Sequence, residues 1–277
     1  MFNQLISLIF LLSITLNAAL ADSLNLGTTT LNGSFSQGGM VFGKTDPQNK
    51  VFLNNKDVRI TPNGDFVFGF GRDAKDKSKL TIRQPNGQVL EKFFSVKKRD
   101  YNIQRVEGVP KRTVYPSKES LVRIKKETAQ VKQARTTDSN LQHFLQTFQW
   151  PLIGNLTGFY GSQRFYNGEP GRPHYGIDIA APTGTLVYAP VDATITLAHK
   201  DMFYSGGTLI MDHGYGISST FIHLSELLVK VGDKVKQGDP VAKVGAGGRA
   251  TGPHLDWRIN WFKVRLDPQL LVPPMPK

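Results

Sequence analysis

Cysteine is absent from the 277 residues, which excludes any disulfide and leaves the redox compartment undecided by composition. Acidic residues are few beside basic ones, 22 against 34, for a formal net charge of +12 and a pI near 9.8. A basic surface suits anionic polymers of a cell envelope or anionic lipid head groups. Nucleic acid is the competing polyanion, but no nucleic-acid motif accompanies the charge. Long apolar runs are scarce too. One, from Leu5 to Leu16, precedes a small-x-small site, Ala19-Leu20-Ala21, and then Asp22. That pattern predicts a signal peptide over residues 1–21, with a mature chain exported to the periplasm or cell envelope. Helical residues from Leu5 to Leu16 would reach about 18 Å, short of a hydrocarbon core of roughly 30 Å. No stable membrane span is therefore expected after the leader is removed.

What remains is long enough for two folded units. Residues 22–100 show short strands and turns. Asn63-Gly64 stands between Val58-Arg59-Ile60 and Phe66-Val67-Phe68-Gly69-Phe70, and Pro85-Asn86-Gly87 between Leu80-Thr81-Ile82 and Val89-Leu90. Both read as hairpins, and the spacing predicts a β-sandwich-like domain without a catalytic constellation, a spacer or docking module. Residues 101–147 read as a basic linker with helices. Ser117 is the N-cap expected for a helix reaching about Arg135, whose Arg123, Lys125, Lys126 and Lys132 form a solvated face. Leu141, Phe144, Leu145 and Phe148 then recur at helical spacing, which predicts a second helix. Residues 148–277 read as a small antiparallel β domain, with strands at 186–188, 194–197, 208–210 and 219–222 between glycines and prolines. The whole is expected to be all-β around that helical linker.

Histidine is also scarce, at six residues. Two stretches of the last domain set some of them beside carboxylates. In Thr251-Gly252-Pro253-His254-Leu255-Asp256-Trp257-Arg258, strand alternation turns His254, Asp256 and Arg258 to one face. In His174-Tyr175-Gly176-Ile177-Asp178, four extended residues would span about 13 Å, too far for shared ligands of one ion. The chain must bend there, and Pro173 with Gly176 supplies a stiff start and a permissive joint. Neither half-site is distinctive alone, since a lone histidine is as readily a hydrogen-bonded structural residue. His143 reads as a surface residue, His213 as structural, and His199 has no evident partner.

The order of the pieces is distinctive. Trp150-Pro151, Gly158-Phe159-Tyr160-Gly161, the His174–Asp178 stretch, Gly206-Gly207, Ile210-Met211-Asp212-His213-Gly214, Phe221-Ile222-His223 and Thr251-Gly252-Pro253-His254 follow one another. Over roughly 148–268 this resembles the M23 family of zinc metallopeptidases, the lysostaphin-like endopeptidases of bacterial peptidoglycan. The resemblance implies a small antiparallel metallopeptidase domain, zinc as cofactor and peptidoglycan as substrate. It also implies His174 and Asp178 as zinc ligands, with His223 and His254 as the catalytic histidines that handle the water and the developing oxyanion. The third ligand position carries Asp256, where the family has the second His of a closing His-x-His.

That departure has physical consequences. Two carboxylates and a neutral imidazole cancel the charge of a zinc ion and weaken it as a Lewis acid. Arg258, on the strand face of Asp256, can draw off part of the carboxylate charge. Two functions stay open on the sequence. One is a zinc endopeptidase cutting stems or cross-links of peptidoglycan. The other is a degenerate relative, with Asp256 and Arg258 as a plain ion pair, that binds cell wall or activates another hydrolase.

Overall fold

The computed structural model describes residues 22–108 and 115–276. The signal peptide expected over 1–21, and part of the expected linker, lie outside the described residues. Among the described residues, no helix is long and apolar enough to cross a membrane.

The first eight strands make two four-stranded antiparallel sheets. One runs β1 (Asp22–Leu26), β2 (Thr29–Gly33), β3 (Met40–Lys44) and then β6 (Asp65–Gly69). The other runs β5 (Lys56–Val58), β4 (Lys50–Leu53), β7 (Lys77–Arg83) and β8 (Val89–Ser95). Leu31, Phe66, Phe68, Leu80 and Ile82 fill the space between them, and Phe68 meets Phe70 edge to face. The expected turn at 84–88 joins β7 to β8, with Arg83 opposite Val89. The expected Asn63-Gly64 hairpin does not form in one sheet. Val58 belongs to one sheet and Phe66 to the other, with only an Ile60–Phe66 bridge between. Thr61 explains the corner: its Oγ1 accepts from the amides of Asn63 and Asp65, so the turn carries the chain across the sandwich.

Beyond the sandwich, β9 (Ile103–Val106) pairs in parallel with β11 (Gln163–Tyr166), and β12 (Glu169–Pro170) completes that small sheet. Helix α1 (Lys118–Arg135) starts where Ser117 caps it, its hydroxyl accepting from the Ser120 amide. The second expected helix is absent. Phe144 and Phe148 are buried, but Leu145 is exposed and only a single 3-10 turn, His143–Leu145, forms. Gly214 and Tyr215 explain this, because the chain at 139–141 docks there: Ser139 O takes the Tyr215 amide, and a Cβ on Gly214 would meet Leu141 O at 1.6 Å.

The remaining strands form one large antiparallel sheet. Its path is β10 (Asn155–Gly158), β13 (Ile177–Ala180), β20 (His254–Trp261), β17 (Ile217–Leu227), β16 (Gly206–Gly214), β15 (Ala193–Met202) and β18 (Lys234–Val235). Off that path, β14 (Leu186–Tyr188) pairs with β19 (Pro240–Val244), and β21 (Val264–Leu266) pairs with β20. Ile177, Ile179, Phe221, Leu255 and Trp257 sink into one core on one face of this sheet. Strand alternation then sends Asp178, Thr220, Asp256 and Arg258 to the opposite face.

Candidate metal centre

On that opposite face the two half-sites meet. Asp178 stands directly across from Asp256 in the β13–β20 ladder. His174 arrives from the preceding turn, pinned by its amide to Ser162 O at 2.8 Å and by its carbonyl to the Gly161 amide at 2.7 Å. Its Nε2 lies 3.2 Å from Asp178 Oδ1, and its Nδ1 lies 4.0 Å from Asp256 Oδ2. One donor atom from each of the three residues falls within a 4.8 Å group, and all three side chains are buried. Gly176 serves this approach differently from expectation. Its φ is not in the left-handed region; a Cβ there would meet Asp256 Oδ1 at 2.7 Å and Arg258 Cγ at 2.6 Å. Close packing, not a permissive joint, is why glycine is needed.

Each carboxylate has its own guanidinium. Arg258 holds Asp256 through two bonds, Nε to Oδ1 at 2.8 Å and Nη2 to Oδ2 at 2.6 Å. Arg164 on β11 holds Asp178 through Nη2 to Oδ2, and Gln104 Oε1 on β9 steadies Arg164 Nε at 3.1 Å. A Cβ on Gly158 would strike this Asp178–Arg164 pair, at 2.1 Å from Oδ2. Burial alone would raise both carboxyls. For Asp178 the His174 imidazole and Arg164 outweigh burial and hold it far below the usual carboxylate range. For Asp256, Arg258 outweighs burial and holds it at about 2. The sequence alone sets two carboxylates against one guanidinium; the fold supplies a second, Arg164. No motif in the sequence marks Arg164 or Gln104. Gln104 comes to the site from β9, through the parallel β9–β11 pairing.

The other two histidines face each other beside this cluster, ring centres 4.8 Å apart. His223 Nδ1 lies 2.7 Å from Gly247 O, and His254 Nδ1 lies 2.9 Å from Gly252 O. A carbonyl oxygen only accepts, so in a neutral ring Nδ1 carries the proton and Nε2 keeps its lone pair. His254 Nε2 lies 3.7 Å from Asp178 Oδ1. Burial, with His254 adding to it, pushes His223 down to about 4, so it is neutral near pH 7. Its φ of 66° is in the left-handed region, a strained conformation for histidine held by its amide donating to Ser205 O at 2.7 Å. His213 is structural, as expected: it is fully buried between Asp192 O at 3.0 Å and Ser219 Oγ at 2.7 Å. His199 accepts from the Asp201 amide at 3.2 Å, away from the cluster.

The residues fit a cation. His174 Nε2 and Asp178 Oδ1 are buried and have no hydrogen-bond partner, although they are 3.2 Å apart. Unpaired buried polar atoms of this kind are costly, and a shared cation between them relieves the cost. One imidazole and two carboxylates suit a borderline ion such as zinc, whose catalytic sites take three protein ligands.

A buried His/Asp/Asp cluster with two histidines beside it offers the donor set of a catalytic metal centre. The protein-family description "Peptidase family M23" matches residues 172–268. A solved structure from Pseudomonas aeruginosa, assigned to peptidase M23, is 30% identical; the match covers 86% of this chain and 95% of that one, with a TM-score of 0.65. The chain belongs to the M23 peptidase family. Similar curated proteins include the peptidoglycan DD-endopeptidase ShyB of Vibrio cholerae, 39% identical over 87 residues, 31% of this chain and 20% of that protein. Another is the DD-carboxypeptidase/endopeptidase Mpg of Neisseria meningitidis, 41% identical over 91 residues, 32% of this chain and 21% of that protein. The chain thus spans about a fifth of the length of these curated relatives.

Proposed function

We propose that the chain is a zinc-dependent endopeptidase that cuts peptide stems or cross-links of bacterial peptidoglycan after export to the periplasm or cell envelope. One observation carries the reading: His174 Nε2 and Asp178 Oδ1 stand buried and 3.2 Å apart, without a hydrogen-bond partner, beside a third buried ligand side chain. The peptidoglycan substrate comes from the relatives named above. The basic charge supports it, and extends to other anionic envelope polymers as partners.

In this reading His174, Asp178 and Asp256 hold the zinc. When bound, zinc supplies Lewis acidity toward a peptide carbonyl and lowers the pKa of a coordinated water. His223, neutral and with its Nε2 lone pair free, accepts a proton in the attack and returns it to the leaving amine. His254, fixed through Nδ1 on Gly252 O, stabilises the developing oxyanion or shares the proton transfer. Arg164 and Arg258 draw charge off the ligand carboxylates, so the pair cancels less of the metal charge than two free carboxylates would. The N-terminal sandwich acts as a spacer or docking module.

The bidentate hold of Arg258 on Asp256 favours a second reading, in which the pair is a plain ion pair and the chain binds wall peptides without cutting them. Incubation of the zinc-loaded mature protein with purified peptidoglycan separates the two. New peptide fragments by mass spectrometry, lost on chelation and restored by zinc, support the endopeptidase. Sedimentation with the wall and no fragments would establish the binding module.

A further inference from the structure

One strand step from the metal centre, on the same face, three guanidinium groups gather around too little negative charge. Arg258 lies two residues beyond Asp256, about 7 Å along the strand, and opposite Thr220 on β17. The last residue of α1, Arg135, reaches that spot from the linker, its Nε and Nη2 lying 3.3 and 3.2 Å from Thr220 Oγ1. Arg265 on β21 stands across from Asn260 and donates to its Oδ1 at 3.1 Å. All three side chains are partly buried.

A guanidinium carries five N–H donors. The contacts of Arg135 use two of them on one hydroxyl, and Arg265 uses one on an amide oxygen. Among the described residues no carboxylate lies within ion-pair reach of either, and the carboxylate of Asp256 is already held by Arg258. Ser218 Oγ, on the same face opposite Asn260, is buried and has no partner either. Burial and the like charges of its neighbours push Arg135 well below its ordinary value, and Arg265 down to about 10. Two of the three guanidinium groups, those of Arg135 and Arg265, thus lack a carboxylate partner, and planar forks of N–H donors match a carboxylate.

We propose that Arg135, Arg258 and Arg265 form an anion subsite beside the metal centre that binds a carboxylate of the peptide substrate. This rests on the peptidase reading above. One extended residue spans roughly 3.5 Å, so the subsite reaches a carboxylate one or two residues beyond the bond being cut. It selects peptides by a free acid on the leaving side, and part of it comes from the linker helix, outside the segment matched to the family.

The test uses the full mature chain stripped of metal, so that binding is read without cleavage. Calorimetry compares an N-acetyl peptide ending in two D-alanines, as the free acid, with its C-terminal amide. The acid is expected to bind about tenfold more tightly, with a preference that shrinks as salt rises. R135Q and R265Q should each remove most of that preference, and R135K should keep it; thermal melting of each variant separates this from lost folding. Equal affinity for acid and amide, binding of neither, or an unchanged preference in folded R135Q and R265Q would overturn the subsite. Wall cleavage by the zinc-loaded protein is scored separately. Cleavage without acid preference removes the subsite and leaves the peptidase reading; acid preference without cleavage does the reverse.

Discussion

Arg164 fixes a cation on one oxygen of Asp178 and leaves the other facing the cluster, whereas Arg258 holds both oxygens of Asp256. Groups behind a metal ligand set its orientation and charge, and their loss typically costs about 10- to 100-fold in metal affinity. Arg164→Met should weaken zinc binding by that order in a chelator competition, with a smaller loss for Gln104→Ala. Unchanged affinity would remove both residues from the centre. Protonation sets a second expectation. Buried His213 and His223 are each held down at about 4, against an ordinary value of 6.5. Their neutral forms are favoured by folding, so this stability is whole above pH 6.5 and is lost as pH falls toward 4. Each contributes on the order of 3 kcal/mol over that window. Denaturant titrations of the metal-free protein should show stability falling across it, and His213→Gln should flatten the fall. A pH-independent midpoint would contradict this. At this scale much was legible in the sequence: alternation put Asp256 and Arg258 on one face, and motif order brought His174 and Asp178 to them. Arg164, Gln104 and Arg135 were not, since a lone arginine or glutamine gives no signal of the strand beside which it folds.

The linker elements hold the site from two sides. Strand β9 brings Gln104 to Arg164, while α1 grips the loop between β15 and β16. Arg123 pairs with Glu127 and Asp201, and Glu127 Oε2 accepts from the Phe203 amide at 2.8 Å. That loop in turn supplies Tyr204 O to the Arg249 amide and Ser205 O to the His223 amide. Arg249 also lies between the rings of Tyr166 and Tyr204, at 4.2 and 5.0 Å. The Glu127→Ala variant leaves the Phe203 donor unmatched and should cost about 1–3 kcal/mol. Hydrogen exchange should quicken at the amides of Phe203, His223 and Arg249. Faster exchange confined to α1 would show that the helix does not support the loop. The helix itself was legible from its Ser117 cap, but its role was not. Arg123 lies on the exposed face expected of it and also pairs with Glu127 and Asp201. The aromatic stripe after the helix reports burial without a helix of its own, because Phe144 and Phe148 dock on the large sheet.

Across the whole molecule, the sandwich and the large sheet share packing. Met40 and Val67 of the sandwich belong to the core of the large sheet, where Leu266 also lies. Asp267 is almost wholly buried at this junction, its Oδ2 accepting from Arg99 Nη1 at 2.8 Å. Burial raises the Asp267 carboxyl even against Arg99, so the charge is poorly accommodated without its partner. Arg99→Met should therefore destabilise the protein by roughly 3 kcal/mol, and adding Asp267→Asn should recover most of it. Additive losses in the double variant would mean that the pair is not coupled. The all-β class and the sandwich were legible from strand spacing and turn residues. The junction was not, because it joins Arg99 to a partner 168 residues away.

The proposed centre requires three side chains to bind one ion, and zinc content measures that directly. Protein purified without added chelator should carry about one zinc per chain, reduced to background in Asp256→Ala and retained in Asp256→His. Native protein without zinc, alongside a zinc-bearing Asp256→His variant, would contradict it: Asp256 would then be the residue that disarms the centre.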